Sequence, residues 1–179
     1  RLAEDFKPYG VNGGLYNFKL KIARKLIFSK WQAALGGNLE LLVSGSAPLS
    51  PRLARIFGGA DIPVMEGYGL TETSPVIAVN DQRNNGWKIG SVGRILSNVT
   101  VKIAEDGEIL CQAPSVAQGY YKDEEKTNEA FINGWFHTGD IGIVDSDGFL
   151  FITDRKKEMF KTSGGKYVAP QMIENAMKQ

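Results

Sequence analysis

Between Leu15 and Leu35 the apolar positions Leu15, Phe18 and Ile22, then Ile27, Trp31 and Leu35, recur every three or four residues, with a slip of phase near Leu26. That spacing predicts an amphipathic helix, or two abutting ones, whose apolar side packs inward. Lys19, Lys21, Arg24 and Lys25 fall mostly on the other face, and Gly36-Gly37 supplies a C-terminal stop. A short apolar run, Leu39 to Val43, reads as a buried strand entering the small-residue loop SGSAPLSP. Ser50 then stands as N-cap and Pro51 as the first residue of a helix that closes on Gly58-Gly59. Ile62 to Met65 is a second short strand, and it opens into GYGLTETSP. Strand, loop, helix, strand, loop is an α/β rhythm, in which ligands sit where loops leave the carboxyl ends of strands.

After Gly86 the period changes from helical to alternating. Val99, Val101 and Ile103 share one face, Glu105-Asp106-Gly107 makes a turn, and Glu108 to Gln112 returns as a hairpin. A short helix follows Asp123, Asn133-Gly134 turns the chain, and Ile141 to Val144 pairs with Phe149 to Thr153 across Asp145 to Gly148. These strands predict a compact antiparallel, barrel-like subdomain. A second amphipathic helix is expected to start at Pro170 with Met172, Ile173, Ala176 and Met177. The organisation read from the pattern is an α/β subdomain over residues 1–85, an antiparallel subdomain over 86–156, and a hinge with the start of another domain over 157–179.

Composition narrows the function classes. With 179 residues, 42% of them apolar, the chain can bury a substantial core. Charge is nearly balanced, 21 basic against 20 acidic residues, so no global field favours nucleic acid. A single cysteine, Cys111, forms no internal disulfide, and no stretch reads as a bilayer span or secretory signal. A reducing, cytoplasmic setting is the expectation. Because the chain opens on Arg1 and stops at Gln179 inside an expected helix, it reads as a piece of something longer.

Local chemistry concentrates in a few stretches. Asp154 to Pro170, DRKKEMFKTSGGKYVAP, combines Arg155, Lys156, Lys157, Lys161 and Lys166 with Gly164-Gly165. It suits a phosphate-rich ligand, though basic residues alone more often mark a solvated basic hairpin. In GYGLTETSP, Thr71 and Glu72 place a hydroxyl beside a carboxylate. That pair suits a phosphate bound through Mg²⁺, or a polar turn in which Thr71 caps its own backbone. In WFHTGD, Asp140 is either a turn residue or an acceptor for a sugar diol. His137 and Cys111 have no partner in sequence and are assigned to structure.

Taken in order, GSAPLS, GYGLTETSP, WFHTGD and DRKKEMFKTSGGKYVAP closely resemble the adenylate-forming superfamily of acyl-CoA synthetases, adenylation domains and luciferases. The resemblance runs from Leu39 to Gln179, and the last motif looks like the long-chain fatty-acid CoA ligase branch. It implies an α/β fold: part of a large N-terminal domain, with an α/β subdomain and an antiparallel β-barrel-like subdomain, then the start of a small C-terminal α+β domain. It also implies ATP-dependent conversion of a fatty acid to an acyl-adenylate, followed by transfer to CoA, with ATP, Mg²⁺ and CoA as the small molecules engaged. Alternatives are a fatty-acyl-AMP ligase that loads a carrier protein, and a non-catalytic nucleotide- or lipid-binding remnant.

By the same resemblance, Ser46, Ala47 and Pro48 border the adenine, Tyr68 packs on its face, and the Gly67 to Gly69 backbone passes close by. Thr71 binds phosphate oxygens and Glu72 holds the Mg²⁺. Asp140 accepts from the ribose hydroxyls while Arg155 donates from the far side. Lys157 is the hinge about which the C-terminal domain reorients between half-reactions, and Lys161, Ser163, Gly164, Gly165 and Lys166 then approach the CoA tunnel. The loop from Thr73 to Val79 contributes one side of the acyl tunnel. The family's upstream phosphate loop has no match between Arg1 and Leu39, and its C-terminal lysine lies beyond Gln179, so residues 1–179 alone are expected to be inactive. The acyl substrates partition into bilayers, which makes peripheral membrane contact at the inner face a further expectation. The pattern specifies no oligomeric state.

Overall fold

The computed structural model describes residues 1–156, 160–161, 167–168 and 177. The chain divides into two compact units, Arg1–Glu66 with Asn80–Gly90, and Gly67–Val79 with Ser91–Gln179. The helix expected from Pro170 lies, apart from Met177, outside the described residues.

In the first unit the predicted long helix is three segments: α1 (Gly14–Ala23), a π-helical turn over Arg24–Phe28, and α2 (Ser29–Ala34). The π turn adds a residue to the local repeat, which is the physical source of the phase slip near Leu26. The expected inward packing is not what this unit shows. Leu15, Phe18, Leu26 and Ile27 are 72%, 62%, 65% and 55% exposed, and Trp31 and Leu35 are also exposed. The inward side instead carries Leu20, which is buried, and Arg24. Arg24 Nε donates to Gly59 O at 2.8 Å and its Nη2 to Gly58 O at 3.2 Å, while Gln32 Nε2 donates to Ala60 O at 3.0 Å. These are carbonyls at the end of a following helix, where a cation meets the negative end of the helix dipole. Arg24, assigned to the polar face by spacing, therefore belongs to the packed one.

β1 (Leu42–Ser44) leads through the SAPLS loop into α3 (Pro51–Gly59), and β2 (Val64–Gly69) returns. Leu42, Val43 and Ser44 pair in parallel with Val64, Met65 and Glu66, so this is a βαβ crossover in keeping with the α/β rhythm, but its first strand starts later than the expected Leu39 to Val43 and is not buried, Val43 being 69% exposed. Ala54, Ala60, Ile62 and Met65 are buried around it, and Phe6 packs on Trp87 with ring centroids 5.9 Å apart.

The second unit takes up β2 at Gly67 and is antiparallel throughout. Gly67 pairs with Val79 and Tyr68 with Ala78 of β3 (Val76–Val79), with a bulge between Tyr68 and Gly69. Next come β4 (Gly93–Ile95), β5 (Thr100–Ile103), β6 (Glu108–Gln112), α4 (Glu124–Ala130), β7 (Phe131–Ile132), β8 (Trp135–Val144) and β9 (Phe149–Arg155). Their order is β3, β4, β9, β8, β6, β5, with β7 on β8. The predicted hairpin is β5–β6, with Val101 opposite Cys111, and the second pairing is β8–β9. Ile77, Ala78, Val99, Ile109, Cys111, Phe136 and Leu150 form its core. Two stretches read as loops are strands here: GYG completes β2, and WFHTGD lies inside β8. Part of the Thr73 to Val79 stretch is likewise strand: Ile77 and Ala78 are fully buried in β3, while Val76 stays exposed. Beyond β9, β10 (Phe160–Lys161) pairs antiparallel with β11 (Tyr167–Val168). Among the described residues no helix is long and apolar enough to cross a membrane.

Candidate nucleotide and phosphate site

The first unit carries the Ser46-Ala47-Pro48 turn just after β1, with Ser46 in the left-handed region at φ 67°. Glu66, at the end of the parallel pairing, fixes its far side. This buried carboxylate accepts the Leu49 N–H at 3.1 Å, and Asn80 N–H donates to the Glu66 carbonyl at 2.9 Å. Burial pushes the Glu66 carboxyl up, and the Leu49 N–H opposes that shift. Sequence reasoning passed over Glu66 because a glutamate ending a short apolar strand carries no local signal of its role.

In the second unit, β2 and β8 bring together Tyr68 and Asp140, which are 72 residues apart. Tyr68 Oη donates to Asp140 Oδ2 at 2.7 Å. Burial, and then the Asp140 charge, push the Tyr68 phenol far up, so it stays a donor. Asp140 is itself buried, and its N–H donates to Thr138 Oγ1 at 3.1 Å, whose hydroxyl donates to Ile109 O at 2.8 Å. Asp140 and Arg155 are register partners across β8 and β9, with Arg155 Nε 3.5 Å from Asp140 Oδ1. The guanidinium is 60% exposed, so it can reach toward a ligand. Gly67 and Gly69 flank Tyr68; a Cβ on Gly69 would drive into the Pro75 carbonyl.

Thr71 and Glu72 sit in a 3-10 turn, Thr71–Thr73. The hydroxyl that caps this turn belongs to Thr73, not Thr71: Thr73 Oγ1 accepts from Leu70 N–H at 3.0 Å and also bonds the Pro75 carbonyl, and it is 1% exposed. Glu72 Oε1 accepts from Tyr120 Oη at 2.7 Å, and the Glu72 carbonyl accepts the Ala117 N–H at 2.7 Å. The Tyr120 phenol is pushed up to about 12, by burial first and then by Glu72. Among the described residues no three His, Cys, Asp or Glu side chains gather as a metal cage. A single oriented carboxylate beside a hydroxyl fits Mg²⁺ as that ion is usually held, through one or two protein oxygens with the rest from phosphate and water.

His137 is not alone in space. Its Nδ1 lies 3.0 Å from Glu108 Oε2, a buried carboxylate that also accepts from Lys156 Nζ at 2.8 Å and from Gly139 N–H at 2.9 Å. Neither Glu108 nor Tyr120 stands out in the sequence, and Lys156 is one of several basic residues; the folded chain gathers them, Glu108 with His137 and Lys156 along the strands, and Tyr120 with Glu72 between a loop and the 3-10 turn. Lys157, Ser163, Gly164, Gly165 and Lys166 lie outside the described residues, and Lys161 is described only as a backbone position in β10, opposite Tyr167.

Comparison with known proteins identifies the family. Residues 13–121 match the AMP-binding enzyme family. The long-chain-fatty-acid CoA ligase FadD15 of Mycobacterium bovis is 46% identical over 169 residues, 94% of this chain and 28% of its own length. The 2-succinylbenzoate CoA ligase of Listeria innocua is 40% identical over 140 residues, 78% of this chain and 30% of its own. Among solved structures, O-succinylbenzoate coenzyme A synthetase from Bacillus subtilis, in complex with ATP and magnesium ion, aligns at a TM-score of 0.69 and 29% identity. That alignment covers 83% of this chain and 34% of that one. The chain thus spans less than a third of the length of the curated relatives it matches. With its four ordered motifs, its α/β and antiparallel units, and a family match over most of its length, this chain belongs to the AMP-binding family of adenylate-forming enzymes.

Proposed function

We propose that the protein carrying these residues activates a long-chain fatty acid with ATP and passes the acyl group to CoA. The observation that supports this most directly is the Tyr68, Asp140 and Arg155 constellation: an aromatic wall hydrogen-bonded to a buried carboxylate, with a solvent-reaching guanidinium in register with it. A ribose offers two adjacent hydroxyls, which suit an acceptor on one side and a donor on the other. Tyr68, as a raised-pKa phenol, keeps its proton and so orients Asp140 without competing for charge.

In the first half-reaction a carboxylate oxygen bonds to the α-phosphorus of ATP as the bond to pyrophosphate breaks. In the second, the CoA thiol loses its proton to solvent and its sulfur bonds to the acyl carbon, while the bond from that carbon to the AMP oxygen breaks and AMP leaves with its electron pair. A bound Mg²⁺ would spread the negative charge that builds on the phosphates in the first step. Thr71 supplies a hydroxyl toward those oxygens, Glu72 supplies the carboxylate for the metal, and Tyr120 holds that carboxylate in one orientation.

Identity to FadD15 supports a fatty acid as substrate, and the 2-succinylbenzoate relative keeps an aromatic acid as the second reading. The test is ATP–pyrophosphate exchange by the natural-length protein, with palmitate and 2-succinylbenzoate in parallel, followed by assay of the acyl-CoA product. Palmitate-dependent exchange and palmitoyl-CoA are expected. Exchange with 2-succinylbenzoate alone would move the assignment to the aromatic acid, and no exchange with any acid would overturn adenylation.

A further inference from the structure

Strands β6 and β8 lose their one-to-one register where Asp140 sits. Glu108 pairs with Ile141 and Leu110 with His137, so Thr138, Gly139 and Asp140 together stand opposite the single residue Ile109. Such a bulge leaves ladder groups without strand partners and re-aims a side chain. Gly139, at φ +73°, takes the conformation that lets the chain bend there. Its N–H finds its acceptor in the Glu108 carboxylate, and its carbonyl accepts from the Lys156 N–H at 2.8 Å.

The same carboxylate reaches the other strand. Lys156 Nζ lies 2.8 Å from Glu108 Oε2 and 2.8 Å from Asp106 Oδ2, and His137 Nδ1 also contacts Oε2. Glu108 therefore binds the residue before Asp140 and the residue after Arg155, the two flanks of the clamp. Its side chain is 5% exposed, and three neighbouring groups converge on it, so it is an anchored fixture and not a solvated surface charge. Asp140 and Arg155 touch ligand in the proposed reading; Glu108 does not.

Resting on that reading, we propose that Glu108 is a positioning residue for the ribose clamp: through Gly139 and Lys156 it fixes the separation and aim of Asp140 and Arg155. Lys156 is the tether to β9, and His137 holds the carboxylate in the orientation that serves both strands. Replacing the carboxylate by an amide keeps its shape but turns one acceptor into a donor, which faces the Lys156 ammonium and His137.

The measurement is how strongly the natural-length protein prefers ATP over 3′-deoxy-ATP, taken as the ratio of kcat/KM in pyrophosphate exchange. This readout follows the clamp and not merely the amount of folded protein. Glu108→Gln is expected to shrink the preference by about tenfold, and Lys156→Met, at a half-exposed site, by a smaller factor in the same direction. Thermal melting checks that each variant is folded; should Glu108→Gln not fold, Lys156→Met carries the test. A preference unchanged within about twofold in the folded variants overturns the positioning role alone. Absence of exchange, or of any ribose preference in the unsubstituted protein, overturns the underlying reading and this inference with it.

Discussion

Tyr68 and Asp140 are joined by a 2.7 Å hydrogen bond, with the phenol as donor and the buried carboxylate as acceptor. The bond unites two motifs that the sequence separates by 72 residues, one expected at the adenine and the other at the ribose. Tyr68→Phe keeps the ring and deletes the donor. It is expected to cost about 1–2 kcal/mol of stability and to raise KM for ATP more than it lowers kcat, as read by thermal melting and exchange kinetics. Because the folded phenol pKa is raised, the unfolded state loses its proton first, so this contribution is intact below about pH 10 and is lost as pH rises further. An unchanged melting temperature and unchanged KM in the variant would contradict the role.

Tyr120 bears the same relation to Glu72 that Tyr68 bears to Asp140. Tyr120→Phe leaves the Glu72 carboxylate free to rotate. The Mg²⁺ concentration giving half-maximal exchange should therefore rise by roughly tenfold, in the range seen when outer partners of a metal ligand are removed. Titration of exchange rate against Mg²⁺ at saturating ATP checks this; an unshifted midpoint would separate Tyr120 from metal binding.

Gly69 is needed for space. A Cβ at this bulge would meet the Pro75 carbonyl, a backbone group that cannot swing aside while Leu70 N–H is bonded to it at 3.1 Å. Gly69→Ala should destabilise by about 3 kcal/mol, whereas Gly148→Ala, with open space at its Cβ, is limited to the strain of its positive φ. Chemical denaturation of the two variants side by side distinguishes a collision from a general cost of losing glycine.

Glu108 predicts an acid dependence. Burial raises its carboxyl, but the bonds from Lys156, His137 and Gly139 N–H outweigh that and hold it below the ordinary glutamate value. A depressed folded pKa gives stability that is present above the unfolded value of about 4.3 and is lost as pH falls through the folded one. The unsubstituted protein should thus lose melting temperature below pH 4.3 more steeply than Glu108→Gln, about that same value. Parallel slopes would show that the carboxylate contributes no such linkage.

Much of this architecture is local and was legible as such. Pro51 after Ser50, the double glycines at 36–37 and 58–59, Asn133-Gly134, and the alternation of Val99, Val101 and Ile103 each act over a few residues through backbone dihedrals and side-chain period. They are enough to specify α3, the strand–helix–strand order and the β5–β6 hairpin. The ordered motifs likewise carry the family resemblance. Whether the apolar face from Leu15 to Leu35 packs was not decided locally: periodicity identifies a face but not its neighbour, and here Leu20 and Arg24 take the inward side. Nor could spacing reveal that Glu108, His137, Gly139 and Lys156 meet, or that Tyr68 and Tyr120 hold the two carboxylates. The Glu108 cluster depends on strand register and on a bulge that sets three residues against one, and register is fixed by how two distant strands bury a shared core; the two tyrosine contacts join segments that are not strand neighbours and need the folded unit as a whole. The sequence by itself determined the chemistry available to this protein; only the tertiary structure decided which groups hold the others in place.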